Sequence, residues 1–285
     1  MQFVELEQGS VAWKEYRSNH IGASDAPHIM GVGYKTAYQL WRLKMGLDEQ
    51  KDSPAMARGR ALEAEALEAY NVLTGREHRP VVVQHSEHSW MSASLDGLSE
   101  CGQYAVEVKN VKREYHEMAR RATVPTMYWW QCQHQLEVTG LQHMNYWSYD
   151  ATSGTGVAVL VERDDDAIEQ MLALERSFMD CLENLTPPVL GDRDYRDLSN
   201  HELFAHCSDR YASLLAQQKD IESELVALKQ EMISIAEGPA VCGNVKLIKS
   251  FRKGSVKYNQ IPALEGVNLD QYRGKSTEIY SVRVS

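Results

Sequence analysis

Apolar positions in this chain follow different rhythms along its length. Residues 1–50 read as helical, with a turn around Gly31-Val32-Gly33 and a helix from Thr36 to about Lys44. A second helix is predicted from about Ala55 through Tyr70, closed by Thr74-Gly75. Between residues 80 and 161 the pattern changes to short strands, at Val81–Gln84, Trp90–Ser94, Tyr104–Lys109, His143–Tyr149 and Val157–Val161. Within that stretch Pro125 opens one helix running to about Thr139. Another helix, from about Asp165 to Leu185, stops at Pro187-Pro188.

The paired prolines and the polar run after them suit a linker, so the expected domains are 1–188 and 189–285. Past it, Tyr211, Leu214, Ile221, Leu225, Leu228, Met232 and Ile235 alternate spacings of three and four around a polar Gln218. That is a heptad pattern, fitting a helical arm, a coiled-coil stem or a helix packed on the core. A β-rich tail is predicted next, with Gly254 inside a hairpin and Lys246, Lys249, Arg252, Lys253 and Lys257 along it. Strands alternating with helices imply an α/β (α+β) fold, with a C-terminal helical plus β extension.

At 43% hydrophobic and 25% charged, the composition is that of an ordinary globular protein. No apolar run reaches the roughly eighteen residues of a membrane span. The first residues lack the basic and apolar regions of a signal peptide, and the five scattered cysteines suit reduced thiols, so a cytoplasmic setting is expected. A net charge of −10 speaks against nucleic acid at first sight. It is uneven, however: residues 239–285 carry eight Lys and Arg against three Asp and Glu. Clustered carboxylates also lose part of their charge to a bound cation.

The candidate chemistry begins at Tyr104–Lys109. Strand alternation puts Tyr104, Val106 and Val108 on one face and Glu107 with Lys109 on the other. Alone, such a pair is also a surface ion pair. Asp96-Gly97 reads as a turn just before this strand, and a hairpin would bring Asp96 to the Glu107–Lys109 face. Converging carboxylates suit Mg²⁺ or Mn²⁺, with Lys109 beside a water on the ion. On the preceding helix Glu63 shares a stripe with Ala66, Leu67 and Tyr70, where a carboxylate needs a partner or must snorkel. Gln131 lies beside the packing stripe of Tyr128, Cys132 and Leu136, placed to donate to a phosphate or position a water. His78, His85 and His88 lack a further ligand at zinc spacing, and no phosphate-binding Gly-rich loop is present, so no ATP dependence is expected.

Over residues 10–185 these pieces resemble the YqaJ-like viral recombinase family of lambda-type exonucleases, built on the PD-(D/E)xK restriction-endonuclease-like core. The motifs are Trp13-x3-Arg17, Ile21 to Asp25, Ala37 to Trp41, Arg58 to Glu63, Ser94 to Gly97, Glu107-Val108-Lys109, and Tyr128-x2-Gln131-x-Gln133 followed by Val138-Thr139-Gly140. The resemblance implies that Asp96, Glu107 and the Val108 carbonyl hold one Mg²⁺, with Glu63 serving a second or shared ion. It makes Lys109 the activator of the attacking water and Gln131 an active-site residue, and leaves Gln133 a structural part. Arg17 and Ser24 match the positions that grip a terminal 5′-phosphate, as a guanidinium fork and a hydroxyl can. Where relatives often carry Cys-Pro after the lysine, this chain has Asn110-Val111.

The implied activity is Mg²⁺-dependent 5′→3′ digestion of duplex DNA in phage-type recombination, with a RecT-like annealing protein as partner and a homo-oligomer, such as a trimeric ring, around the DNA. Lys112, Arg113, Arg120 and Arg121 would follow the DNA backbone, or form a solvated face. A structure- or site-specific endonuclease on the same core and a non-catalytic DNA-binding accessory protein are the alternatives.

Overall fold

The computed structural model describes residues 1–49, 54–110 and 113–248. Its first compact unit spans Met1–Tyr195. In chain order this unit holds β1 (Gln2–Val4), α1 (Val11–Ser18), β2 (Ile21–Gly22), α2 (Ala26–Ile29), α3 (Ala37–Lys44) and α4 (Pro54–Thr74). There follow β3 (His78–Gln84), β4 (Met91–Ser99), β5 (Ala105–Asn110), α5 (Arg113–Arg120), α6 (Thr126–Thr139), β6 (His143–Asp150), β7 (Thr155–Glu162) and α7 (Asp165–Glu183).

The strands build one mixed sheet in the order β1-β3-β4-β5-β6-β7, with β2 pairing β4. Most neighbours are antiparallel. β5 and β6 run parallel because α5 and α6 carry the chain back between them, and β2 runs parallel to β4. Local chemistry sets the ends of the helices. Ser10 caps α1 through the Trp13 N–H, Thr36 and Gln39 form a capping box on α3, and Gly140 closes α6 in the left-handed region.

Alternation along the strands then separates two of the three buried clusters of the core. Tyr146 joins Leu95, Leu136 and Met171 beneath α6 and α7, whereas the next residue, Trp147, joins Val106, Val108 and the α4 stripe of Ala66, Leu67 and Tyr70. Polar contacts fix α4 on that second face: Trp147 Nε1 donates to the Ala66 carbonyl at 2.9 Å and Asn145 Nδ2 to the Tyr70 hydroxyl at 2.7 Å. The expected mixed central sheet flanked by helices is thus what forms.

Two expectations fail. Residues 1–50 are not helical throughout, because β1 adds to the sheet edge along β3 and β2 docks on β4. These segments are two and three residues long, too short to show a strand period. Asp96 and Gly97 are not a turn either; both lie inside β4, and the chain reverses later, where Gly102 has φ +71°. Gly97 serves a close approach instead. A Cβ there would meet Val106 Cγ1 at 2.7 Å and the His78 Cβ at 2.9 Å.

Past Pro187-Pro188 the first unit continues to Tyr195, since Arg193 donates to the Gly33 carbonyl at 3.2 Å and Asp194 bonds the Thr36 hydroxyl. The second unit begins at Arg196. It holds α8 (Glu202–Ala236), 35 residues long, and a hairpin of β8 (Ala240–Cys242) and β9 (Val245–Leu247), the latter carrying Lys246. The hairpin expected around Gly254, with Lys249, Arg252, Lys253 and Lys257, lies outside the described residues.

Gly97→Ala is expected to lower the unfolding free energy by about 1–3 kcal/mol, as overpacking does in cores. Urea denaturation read by tryptophan fluorescence measures it. An unchanged midpoint would show that β4 and β5 can part to admit a methyl.

Candidate active site

The site forms where β4 and β5 separate. Their paired register covers Gly97 with Val106 and Leu98 with Ala105. Just past it, Asp96 turns its carboxylate across the gap, and Oδ2 accepts the Val108 N–H at 2.8 Å. An Asp side chain thus takes a backbone donor that a neighbouring strand would otherwise satisfy. Val108 itself is buried, its side chain packed under α4.

Glu107 faces the other way, toward α6, and is almost wholly buried. Gln131 Nε2 donates to its Oε1 at 2.6 Å and Gln135 Nε2 to its Oε2 at 2.5 Å. The two glutamines stand one helical turn apart, so α6 holds both oxygens from one side. Lys109 also bonds Glu107 Oε1. Burial alone would lower the Lys109 pKa, but the carboxylates of Glu107 and Asp96 overcome it and hold the amine protonated.

Asp96 is pushed the opposite way. Burial raises its pKa well above the ordinary range, and Glu107 and then Glu63 add to the rise against Lys109. Glu63, half-buried on α4, is likewise raised, first by burial and then by Glu107, with Lys109 and Arg60 opposing. Asp96 and Glu63 are therefore each raised both by their own burial and by the charge of Glu107. Among the described residues, no three His, Cys, Asp or Glu side chains have the arrangement of a metal-binding group. Glu107 is turned to its amine and amide partners, and Glu63 lines the neighbouring cavity of about 830 Å³ together with Arg60 and Arg17. The donor chemistry still suits a hard divalent cation, because buried carboxylates that repel one another are relieved by positive charge.

The N-terminal elements supply the opposite charge. Arg17, at the end of α1, lies over the Trp13 ring with its Cζ 4.6 Å from the centroid, and its Nη2 donates to Ser24 Oγ at 2.5 Å. Trp13 is tied to β4 by its indole N–H, 2.9 Å from Ser94 Oγ. Behind Ser24, Asp25 pairs with Lys44 at 2.8 Å and accepts the Gly22 N–H. Burial works against the charged Asp25, but Lys44 and Arg17 bring its pKa down to about 2.

One cavity of about 160 Å³ joins the two groups. Asp96, Glu107, Lys109 and Gln131 line it together with Arg17 and Ser24. The remaining candidates stand elsewhere. Arg113, Arg120 and Arg121 are exposed on and just after α5, with Arg120 3.6 Å from Glu117, and none of them lines that cavity. Lys112 lies outside the described residues. Gln133 faces away, with Nε2 donating to the Glu162 carbonyl at 2.8 Å and Oε1 accepting the Asp164 N–H at 2.9 Å, which ties α6 to the start of α7.

Sequence reasoning missed Gln135, whose spacing of four from Gln131 was the available signal. It also missed the buried pair of His134 and Glu175, 2.8 Å apart, where the second imidazole nitrogen meets the Ser92 carbonyl. That pair anchors α6 to β4 and α7.

A mixed sheet with helices on both faces and an acidic, amide-lined fork beside a basic pocket defines an exonuclease-like fold. Residues 12–142 match the model of the YqaJ-like viral recombinase domain. The motif pieces from Trp13 to Gly140 fall inside the matched stretch. No curated protein matches the sequence. Among solved structures, an alkaline exonuclease from Laribacter hongkongensis is 25% identical with a TM-score of 0.54, covering 61% of this chain and 93% of that one. The same enzyme in complex with dAMP aligns at 24% identity, TM-score 0.54 and the same coverage. A phage related exonuclease from Haemophilus somnus 129PT aligns at 13% identity and TM-score 0.43, over 57% of this chain and 95% of that one.

Asp96→Asn removes one of the crowded charges and keeps an oxygen for the Val108 N–H. It is expected to stabilise the protein in EDTA by about 0.5–2 kcal/mol, the usual gain when a functional strain is relieved. Thermal unfolding checks it; a lower midpoint would mean that Asp96 is not under repulsion.

Proposed function

We propose that this chain is a divalent-metal-dependent exonuclease that digests duplex DNA from 5′ ends and leaves 3′ single-stranded overhangs. The observation that carries the reading is the shared cavity, in which the Asp96/Glu107/Lys109/Gln131 group adjoins the cationic Arg17–Ser24 pair. The YqaJ-like domain and the likeness to an alkaline exonuclease support nuclease activity. That a relative was crystallised with dAMP supports a nucleotide in this cavity.

In this reading Arg17 and Ser24 bind the terminal phosphate, with Trp13 stacking beneath the guanidinium to hold its plane. Asp96, Glu107, the Val108 carbonyl and Glu63 would hold Mg²⁺, or Mn²⁺ in its place. The ion supplies Lewis acidity to the scissile phosphate and makes water a better nucleophile at neutral pH. Gln131 and Gln135 keep Glu107 in one rotamer, so the carboxylate needs no reorganisation. Lys109 carries its proton while the carboxylates stay charged. It therefore donates a hydrogen bond that would orient the attacking water or a phosphate oxygen. Removal of successive nucleotides follows if the new 5′-phosphate moves into the Arg17 pocket after each cut. Arg113, Arg120, Arg121 and Lys112 would follow the DNA backbone. A RecT-like annealing protein would take up the exposed strand, a homo-oligomer such as a trimeric ring would enclose the duplex, and the host cytoplasm is where they would meet.

End-labelled linear duplex and covalently closed circular DNA, each with Mg²⁺ or EDTA, test this. Linear DNA should shorten only with the metal and the circle should survive; a cut circle would make the enzyme an endonuclease, and inert linear DNA would remove the catalytic reading. Lys109→Ala should slow cleavage by about 10²–10⁴-fold, the usual weight of a group that handles a proton in the reaction. Near-normal turnover would overturn its role.

Arg17→Ala should cost about 10–100-fold in the preference for phosphorylated over hydroxyl 5′ ends, the weight of one charge-assisted hydrogen bond. Competition between the two substrates measures it. Equal digestion of both by the unaltered enzyme would dismiss the pocket.

A further inference from the structure

Helix α8 runs for 35 residues, roughly 50 Å, without one buried side chain. Its apolar residues are nevertheless ordered. In heptad register, position a holds Phe204, Tyr211, Gln218, Leu225 and Met232, and position d holds Cys207, Leu214, Ile221, Leu228 and Ile235. Leu225 and Ile221 are 60% and 57% exposed. An apolar seam of this length on a solvated helix marks an interaction surface. A single helix gains its stability from burying such a seam.

We propose that α8 pairs in parallel and in register with α8 of a second copy of this chain. Charge and polarity select that occupant. In a parallel pair, position g faces position e of the next heptad on the partner helix. Here Glu224 meets Lys229, Gln217 meets Glu222, Arg210 meets Leu215 and Glu231 meets Ala236. One pair attracts and none sets like charges together. The sole polar seam residue in the register between Tyr211 and Ile235, Gln218, donates to Glu222 at 2.7 Å within the helix and faces its own copy only when the helices run parallel with no slip, so that its amide meets an amide rather than leucine. The same alignment brings Cys207 opposite Cys207 at a d position, within the span of a disulfide. Its thiol is exposed. The inference depends on the register of α8 alone and not on what the cavity near Asp96 does.

The test uses the full chain with Cys101→Ser and Cys242→Ser, which leaves Cys207 as the exposed thiol among the described cysteines. Mild oxidation with diamide should give a species of twice the chain mass on non-reducing gels, lost with Cys207→Ser. Leu225→Asp with Leu228→Asp should abolish the α8 contact, lowering the mass found by sedimentation and removing the cross-link, with any loss of helical circular dichroism confined to the 35 residues of α8 and the thermal unfolding of the first unit unchanged. A Cys207 that reacts fully with a maleimide yet never cross-links would overturn the parallel pairing. So would a sedimentation mass that the double Asp variant does not change.

Discussion

The parting of β4 and β5 is the constraint on which the rest of the first unit depends. A sheet must satisfy its backbone donors, and where the two strands diverge the Val108 N–H would be orphaned without the Asp96 carboxylate. One side chain thereby both seals the ladder and sits in the gap that the parting opens. Gly97 makes the arrangement feasible, because its missing side chain lets β4 lie against Val106 and His78 one residue before the fork. Helix α6 then meets the open face, and Gln131 and Gln135 reach Glu107 from consecutive turns.

This geometry concentrates negative charge where water is scarce. Amides were the donors available to hold Glu107 without adding either a competing carboxylate or another cation to balance. Lys109 lines the cavity with Asp96 and Glu107, and the two carboxylates raise its pKa against the effect of burial. On the proposed function, a site arranged this way would spend stability on readiness for a cation. The anchors are the buried His134–Glu175 hydrogen bond behind α6 and the buried Asp25–Lys44 ion pair behind the Arg17 pocket.

Much of this was legible in the sequence where a period or a cap speaks. The helices from Thr36, Pro125 and Asp165 and the strands around Glu107 and Trp147 all follow from hydrophobic spacing and end chemistry. Asp96-Gly97 misled because the pair commonly turns a hairpin, and only the neighbouring Val106 and His78 reveal that this glycine answers to crowding. β1 and β2 were hidden because so few residues carry no period. Gln135 was passed over since the motif drew attention to Gln131 and Gln133, although a helix places residues four apart, not two apart, on one face. Asp25 and Lys44 gave no local signal: they stand nineteen positions apart, and only the packing of α2 and α3 brings them together.

The placement of Arg17 bears on why such a fold would act at ends. A terminal phosphate carries more charge than one inside a strand, and the Arg17–Ser24 pair lies in the same small cavity as Asp96 and Glu107 rather than on an open track. Trp13 limits the space beneath the guanidinium, and its bond to Ser94 fixes that limit to β4, two residues from Asp96. The distance between the Arg17–Ser24 pair and the acidic fork is therefore set through β4. On the proposed function, a continuous duplex would have to bring a less charged internal phosphate to a pocket of about 160 Å³ walled by Trp13 and the strand, whereas a frayed end would enter with its own charge leading.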